Sequence, residues 1–272
     1  MRVLAELKTW GLSEVRDGSV FLLTMTGPKA HAISPGYNQD GLELVHGIKT
    51  GKFGKLKPVV LSGGEESIFS AGIDLLDVMK QPSRQASRAF MTDLLTGFSQ
   101  LTLEFMSLPI PTCAAINGHA LAGGAVISSA ADKMFGMKNQ NSRFGAIETV
   151  VGIPFPPFAR LAIMRHLPLP IVTDGLLFGK TFTHDEAFEN KWLHGLADTK
   201  DELVEKACDC VTQLPPACYP AYGKTKIDLI QPILDYCHHH NARVLEESMD
   251  ICFSDEGYPH LTQFVKAIGQ KK

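Results

Sequence analysis

The sequence predicts an α/β fold in which strand, turn, strand and helix repeat over the first two thirds and helices fill the last third. Three observations carry this. Short apolar runs at 20–26, 58–61, 113–116 and 133–137 are bounded by glycine, proline or polar turn residues and read as strands. Between them, apolar residues recur at helical spacing. After about Thr181 the helical pattern dominates.

The first strand, 20–26, is closed by Gly27-Pro28. Ser34-Pro35 suits a helix start, and Leu42, Leu44, Val45 and Ile48 continue that helix. The segment 51–57 is a basic, glycine-containing loop, read as solvated, the alternative being a role near a phosphate. Strand 58–61 runs into the turn Ser62-Gly63-Gly64, and a helix begins near Asp74. Phe90, Leu94, Leu95, Phe98, Leu101 and Phe105 mark a helix over 88–106, ended by Pro109 and Pro111. Strand 113–116 turns at Asn117-Gly118-His119 into a buried helix over 121–131, opened by Gly123-Gly124. Strand 133–137 follows, and 144–157 reads as loop-rich. The clearest later helices are 201–214 and 229–248. The organisation predicted is a core over 1–198 and a helical region over 199–272.

The 272 residues carry 26 Lys+Arg and 29 Asp+Glu, a net charge of −3. That balance argues against a nucleic-acid binder, which shows a strong basic excess. Six cysteines form no CxxC pair and read as reduced thiols, which suits an intracellular protein. The uncharged stretch 105–131 is long enough to span a bilayer, but its prolines, glycines, Asn117 and His119 suit a buried strand, turn and helix instead. No export signal is read at the N-terminus, and Gln270-Lys271-Lys272 is not a peroxisomal address. His238-His239-His240 reads as an exposed helix face, since adjacent helical residues point in different directions.

Two glycine-bearing turns follow apolar strands: Ser70-Ala-Gly-Ile-Asp74 and His119-Ala-Leu-Ala-Gly-Gly124. Each either aims backbone N–H groups at one point, as an oxyanion hole does, or merely permits close packing. Glu148 lies among apolar neighbours. Burial would raise its pKa into the range of a general base; on the surface it would be a solvated or capping carboxylate.

Taken in order, these elements resemble the crotonase family, the enoyl-CoA hydratase/isomerase superfamily. The matching residues are Phe69-Ser-Ala-Gly-Ile-Asp74, the run from Pro111 to Gly124, Asp132, and Phe144-Gly-Ala-Ile-Glu148 followed by Gly152-Ile-Pro154. The resemblance spans about 20–196. It implies a crotonase-type spiral of ββα turns, with a C-terminal helical region used for trimer or hexamer assembly. It implies an acyl-CoA thioester substrate and no separate cofactor or metal. The oxyanion-hole N–H groups would belong to Ile73 and Gly123. Ser70, Ala71, Gly72, Asp74, Gly124 and Val126 would adjoin the substrate, with the backbone near Ser70 and Ala71 meeting the CoA adenine.

Hydratases of this family generally use two glutamates, one at the Glu148 position and one at the position of Val126 here. A valine neither holds nor deprotonates water. One carboxylate suffices for an allylic proton shift, so the resemblance favours a Δ3,Δ2-enoyl-CoA isomerase of fatty-acid β-oxidation, with Glu148 as proton shuttle. The alternative is an enoyl-CoA hydratase or another thioester enzyme of the family. Two departures stand out: the usual third glycine of the second turn is Ala122, and the segment between Asp132 and Glu148 is slightly long. Asp74 reads as a helix N-cap, His119 as a packing or turn histidine, Asp132 as structural, and Glu65 and Glu66 as solvent-facing. No targeting signal distinguishes mitochondrion, peroxisome and cytosol.

Overall fold

The computed structural model describes residues 1–64, 67–138 and 141–270. Glu65, Glu66, Lys271 and Lys272 therefore lie outside the described residues.

The chain opens with a hairpin, β1 (Arg2–Glu6) and β2 (Trp10–Val15), and β2 pairs antiparallel with β3 (Val20–Met25). This hairpin is absent from the sequence reading, because 1–12 lacks a continuous apolar run. In β2 the signal is alternation: Trp10, Leu12 and Glu14 face inward, while Gly11 and Ser13 are partly exposed. Trp10 donates its ring N–H to the Tyr37 carbonyl at 2.8 Å and packs on the Tyr37 ring, 4.7 Å between centroids.

After the turn α1 (Pro28–His31), the helix α2 (Pro35–Lys49) starts where Ser34-Pro35 places it, and the Ser34 hydroxyl accepts from the Tyr37 N–H. The strand β4 (Val59–Gly63) leads to a short strand, β5 (Ile68–Ser70), then to α3 (Leu75–Met79) and the long α4 (Arg84–Met106). The unit recurs twice. First come β6 (Thr112–Ile116), β7 (His119–Leu121) and α5 (Gly123–Ser129). Then come β8 (Lys133–Met137), β9 (Phe144–Gly145) and α6 (Glu148–Val151). Every residue of β4 and β6 is buried, as expected of central parallel strands covered on both faces.

Among the described residues the long strands form a seven-stranded sheet. Its order is β1-β2-β3-β4-β6-β8, completed at the far edge by β10 (Gly195–Ala197). The short strands form their own parallel sheet, β5-β7-β9. Each spiral turn thus contributes one long and one short strand. The loops leaving β5, β7 and β9 emerge side by side, at the carboxyl ends where α/β sheets commonly hold ligands.

Between the sheet and the tail lie α7 (Pro157–Met164), α8 (Leu169–Val172), a π-turn over Thr173–Leu177, and α9 (His184–Glu189). The tail is α10 (Lys200–Val211), a 3-10 turn over Pro216–Cys218, α11 (Tyr219–Cys252) and α12 (Gly257–Gly269). The α10 face bearing Leu203, Ala207, Cys208 and Val211 closes over Val60, Cys113 and Ala115 of the sheet. The α11 helix packs on α4 and α7, and α12 packs on α3 and α6.

Four sequence expectations need correction. Leu121 completes β7 and does not open the following helix. The segment read as loop-rich contains β9, and Glu148 is the first residue of α6. A strand, β10, interrupts the region read as helical, because its place beside β8 is a tertiary contact. The helix read as 229–248 runs from Tyr219 to Cys252 through Pro232. Pro232 removes one helical hydrogen bond, but it and Asp228, whose carbonyl loses that donor, lie on the exposed face where water can serve.

Candidate active site

The first glycine turn is built from β5 outward. Ser70 is fully buried; its hydroxyl donates to the His31 carbonyl at 2.9 Å and accepts from the Gly72 N–H at 3.2 Å. Gly72 adopts a φ of +83°. The next residues bridge to Ile33, whose N–H donates to the Gly72 carbonyl at 2.8 Å and whose carbonyl accepts from the Asp74 N–H at 3.0 Å. Since that bridge engages residues 72 and 74, the Ile73 N–H faces the opposite side. Among the described residues it meets no protein acceptor. Asp74 caps α3, its carboxylate accepting from the Asp77 N–H.

The second turn follows β7. Ala122 donates its N–H to the Gly145 carbonyl at 2.9 Å, and its own carbonyl accepts from Ala125 and Val126 at 2.9 and 3.1 Å. Its φ of 50° and ψ of −120° suit glycine better than any L residue. The Gly123 N–H, like that of Ile73, has no protein acceptor among the described residues. The two turns touch. A Cβ at Gly72 would sit 3.0 Å from the Gly123 nitrogen, and one at Gly124 only 2.4 Å from the Ser70 carbonyl oxygen.

The third element follows β9. Ala146 and Ile147 lead to Glu148 at the start of α6, and the Glu148 carbonyl accepts from the Ile153 N–H at 2.8 Å. Gly152, with a φ of +85°, ends the short helix. The Glu148 Oε2 is buried without a hydrogen-bond partner. Loss of water around the carboxyl pushes its pKa from the usual 4.5 up to about 7, its own backbone N–H opposing weakly.

These three elements converge on one cavity of about 300 Å³. Ala71, Ile73, Gly123, Val126 and Glu148 all line it. Ser70, Gly72, Asp74 and Gly124, expected to adjoin the substrate, do not line this cavity. Among the described residues Glu148 is the sole titratable side chain on the lining. The rest is apolar: Met91, Leu95 and Phe98 from α4, Phe158 from α7, and Phe264 and Ile268 from α12. The His260 ring, 2.9 Å from the Val150 carbonyl, fastens α12 to α6 and so holds that cover next to Glu148.

A family model described as enoyl-CoA hydratase/isomerase matches residues 16–229. The chain belongs to this family. Among curated relatives of this enoyl-CoA hydratase/isomerase family member is an enoyl-CoA delta isomerase 3 from Arabidopsis thaliana. It is 28% identical over 173 residues, 63% of this chain and 71% of the relative. A carnitinyl-CoA dehydratase from Salmonella typhi is 29% identical over 202 residues, 73% of this chain and 72% of the relative. The fold matches a crystal structure of human mitochondrial delta3-delta2-enoyl-CoA isomerase with a TM-score of 0.87 at 17% identity, covering all of both chains. It also matches an enoyl-CoA hydratase from Bacillus halodurans with a TM-score of 0.77 at 22% identity, over 95% of this chain and 99% of the other. The crotonase fold is thereby shown.

Within this family member, the remaining sequence candidates lie apart from the cavity. His119 accepts the Arg143 N–H at 3.1 Å, a turn contact. Asp132 is a hub: one carboxylate oxygen accepts from the Thr112 N–H and hydroxyl, the Tyr222 hydroxyl and the Lys226 ammonium, all at 2.8–2.9 Å. The histidine triplet lies on α11, and among the described residues no cluster of three or more side chains is placed to hold a metal. Sequence reasoning missed the cover from α12. Its only trace is the pair Phe264 and Ile268, four residues apart on one helix face.

Proposed function

We propose that this chain is a Δ3,Δ2-enoyl-CoA isomerase. The observation that carries the reading is a single buried carboxylate, Glu148, whose Oε2 has no hydrogen-bond partner among the described residues, on an otherwise apolar cavity bordered by two backbone amides that meet no acceptor among those residues. Val126, almost fully buried, lines the same cavity, and by the family resemblance it stands where hydratases generally carry a second glutamate.

In this reading the thioester carbonyl of a 3-enoyl-CoA accepts from the Ile73 and Gly123 N–H groups. Ionised Glu148 removes a proton from C2. The charge moves through the π-system to the carbonyl oxygen, where the two amides stabilise it; each such donor is typically worth about 3 kcal/mol. Neutral Glu148 then returns the proton to C4, giving trans-2-enoyl-CoA. A pKa near 7 suits both steps, because neither protonation state is strongly favoured at neutral pH. The apolar lining discourages water, so the proton stays with the carboxyl and substrate. The reaction belongs to fatty-acid β-oxidation. Assembly as a homotrimer or hexamer is part of the same reading, with α11 presenting Leu229, Tyr236 and Ile251 to solvent.

A second reading, hydration or dehydration of an acyl-CoA, is favoured by the similarity to the carnitinyl-CoA dehydratases. Purified protein assayed with trans-3-hexenoyl-CoA and with crotonyl-CoA separates the two. Turnover of the 3-enoyl substrate alone, lost in Glu148→Gln, supports the isomerase. Hydration of crotonyl-CoA at a comparable rate overturns it.

A further inference from the structure

Behind the cavity just described lies a second one, of about 440 Å³, between α4, α7 and α11. The two are separated by a thin wall, and Pro156 and Phe158 line both. Phe158 is 1% exposed, and its ring meets the Phe98 ring edge-on at 5.6 Å.

The wall is held from three sides. Pro157, the first residue of α7, fixes the backbone entering the helix. The Phe158 N–H, one of the donors a helix start leaves without a helical acceptor, donates to the Asn241 side-chain oxygen of α11 at 3.2 Å. The Asn241 amide nitrogen in turn donates to the Ser99 hydroxyl of α4 at 2.8 Å. Asn241 therefore ties the base of Phe158 to both neighbouring helices.

We propose that Phe158 is the chain-length stop of the acyl site, a partition that confines the thioester's hydrocarbon tail to the first cavity. This rests on the reading that the cavity takes acyl-CoA thioesters. At about 300 Å³ the first cavity lies at the low end of the roughly 300–1,000 Å³ usual for small-molecule sites, which suits a short acyl group. The space behind Phe158 is lined in large part by apolar side chains, including Leu103, Leu234, Cys237 and Leu245, and would receive a longer chain were the ring absent. Phe158 is a specificity-determining residue in this view, and Asn241 a positioning residue.

Calorimetric titration of the full chain with hexanoyl-, decanoyl- and hexadecanoyl-CoA tests this without requiring turnover. The unaltered protein should bind hexanoyl-CoA at least about tenfold more tightly than hexadecanoyl-CoA. Phe158→Ala should gain about tenfold or more for the longest chain while changing little for the shortest, since each added methylene can then leave water. Phe158→Leu should shift the profile the same way by less, which serves if the alanine variant does not fold. Cys237→Phe in the Phe158→Ala background refills the second cavity and should cancel the gain. Equal binding of all lengths by the unaltered protein, a gain independent of length, or a gain that survives Cys237→Phe would each overturn the proposal. Turnover of trans-3-hexenoyl-CoA is measured in parallel. Intact turnover with no length discrimination sinks the partition but leaves the isomerase. Length-dependent binding without turnover sinks the isomerase but supports the partition. Failure of every acyl-CoA to bind overturns both.

Discussion

Gly72 and Gly123 stand backbone to backbone: a Cβ on Gly123 would lie 3.4 Å from the Gly72 Cα, and one on Gly72 would lie 3.0 Å from the Gly123 nitrogen. The parallel pairing of β5 with β7 brings these turns together, and the contact sets the spacing of the Ile73 and Gly123 amides. A side chain at position 72 would have to move the second amide. Gly72→Ala should therefore lower kcat for a 3-enoyl-CoA by about 100-fold, the scale of losing one oxyanion donor. It should also cost about 1–3 kcal/mol of stability, because alanine is strained at a φ of +83°. Steady-state kinetics and urea unfolding check both effects.

Ala122 offers the opposite case. Its backbone lies where only glycine is comfortable, and it supports the Gly123 amide. Ala122→Gly should raise stability by about 1 kcal/mol, relief of strain outweighing glycine's extra entropy in the unfolded chain. Activity should stay within a few-fold of the unaltered protein.

Glu148→Gln keeps the shape of the carboxyl but cannot take a proton. Isomerisation should fall by about 100- to 10,000-fold, the usual contribution of a general base, while binding of hexanoyl-CoA persists. Persistence of the original rate in this variant would remove Glu148 from the mechanism.

The pKa of about 7 makes two pH statements with opposite consequences. Catalysis needs the ionised form first, so kcat/KM should rise with pH and level off above about 7. Stability runs the other way. The folded carboxyl holds its proton more tightly than the unfolded one, so stability is greatest below about 4.5 and declines as pH rises to about 7. The full difference is about 3 kcal/mol. Chemical unfolding from pH 4 to pH 8 should show Glu148→Gln gaining on the unaltered protein by up to that amount.

Away from the site, Lys226 is 5% exposed and its ammonium rests on Asp132 at 2.8 Å and on the Ile110 carbonyl at 3.2 Å. Burial pulls the Lys226 pKa down, against the pull of Asp132. Asp132→Ala leaves a buried cation without its counter-charge and should destabilise by about 3–5 kcal/mol. Adding Lys226→Met should restore a large part of that loss, because the uncompensated charge is then gone. A double-mutant cycle by thermal unfolding measures the coupling.

The three motifs were legible because each depends on local chemistry. Small residues permit the turns at Gly72 and Gly123, Ser34 and Asp74 carry side chains that cap helices, and β4 and β6 are apolar runs. The N-terminal hairpin was not legible, since its first strand is mostly exposed and its second signals only by alternation. The helix read over 229–248 already passes through Pro232; what the reading missed is its extension from Tyr219 and on to Cys252.

The sequence by itself determined the repeating strand-strand-helix units, the two turns, the place of a carboxylate in the third motif and the valine opposite it in the family pattern. The units and turns follow from turn chemistry and hydrophobic period, which act over a few residues; the significance of the carboxylate and the valine follows from the family resemblance. The tertiary structure decided what these pieces share. Parallel pairing of β5, β7 and β9 sets residues 73, 123 and 148 on one wall, although up to 75 positions separate them. Packing of α4, α7 and α12 decided that the space is apolar, and that apolar enclosure, by taking water from Glu148, raises its pKa. Burial depends on neighbours distant in the chain, so neither the cavity nor its chemistry is written at any single position.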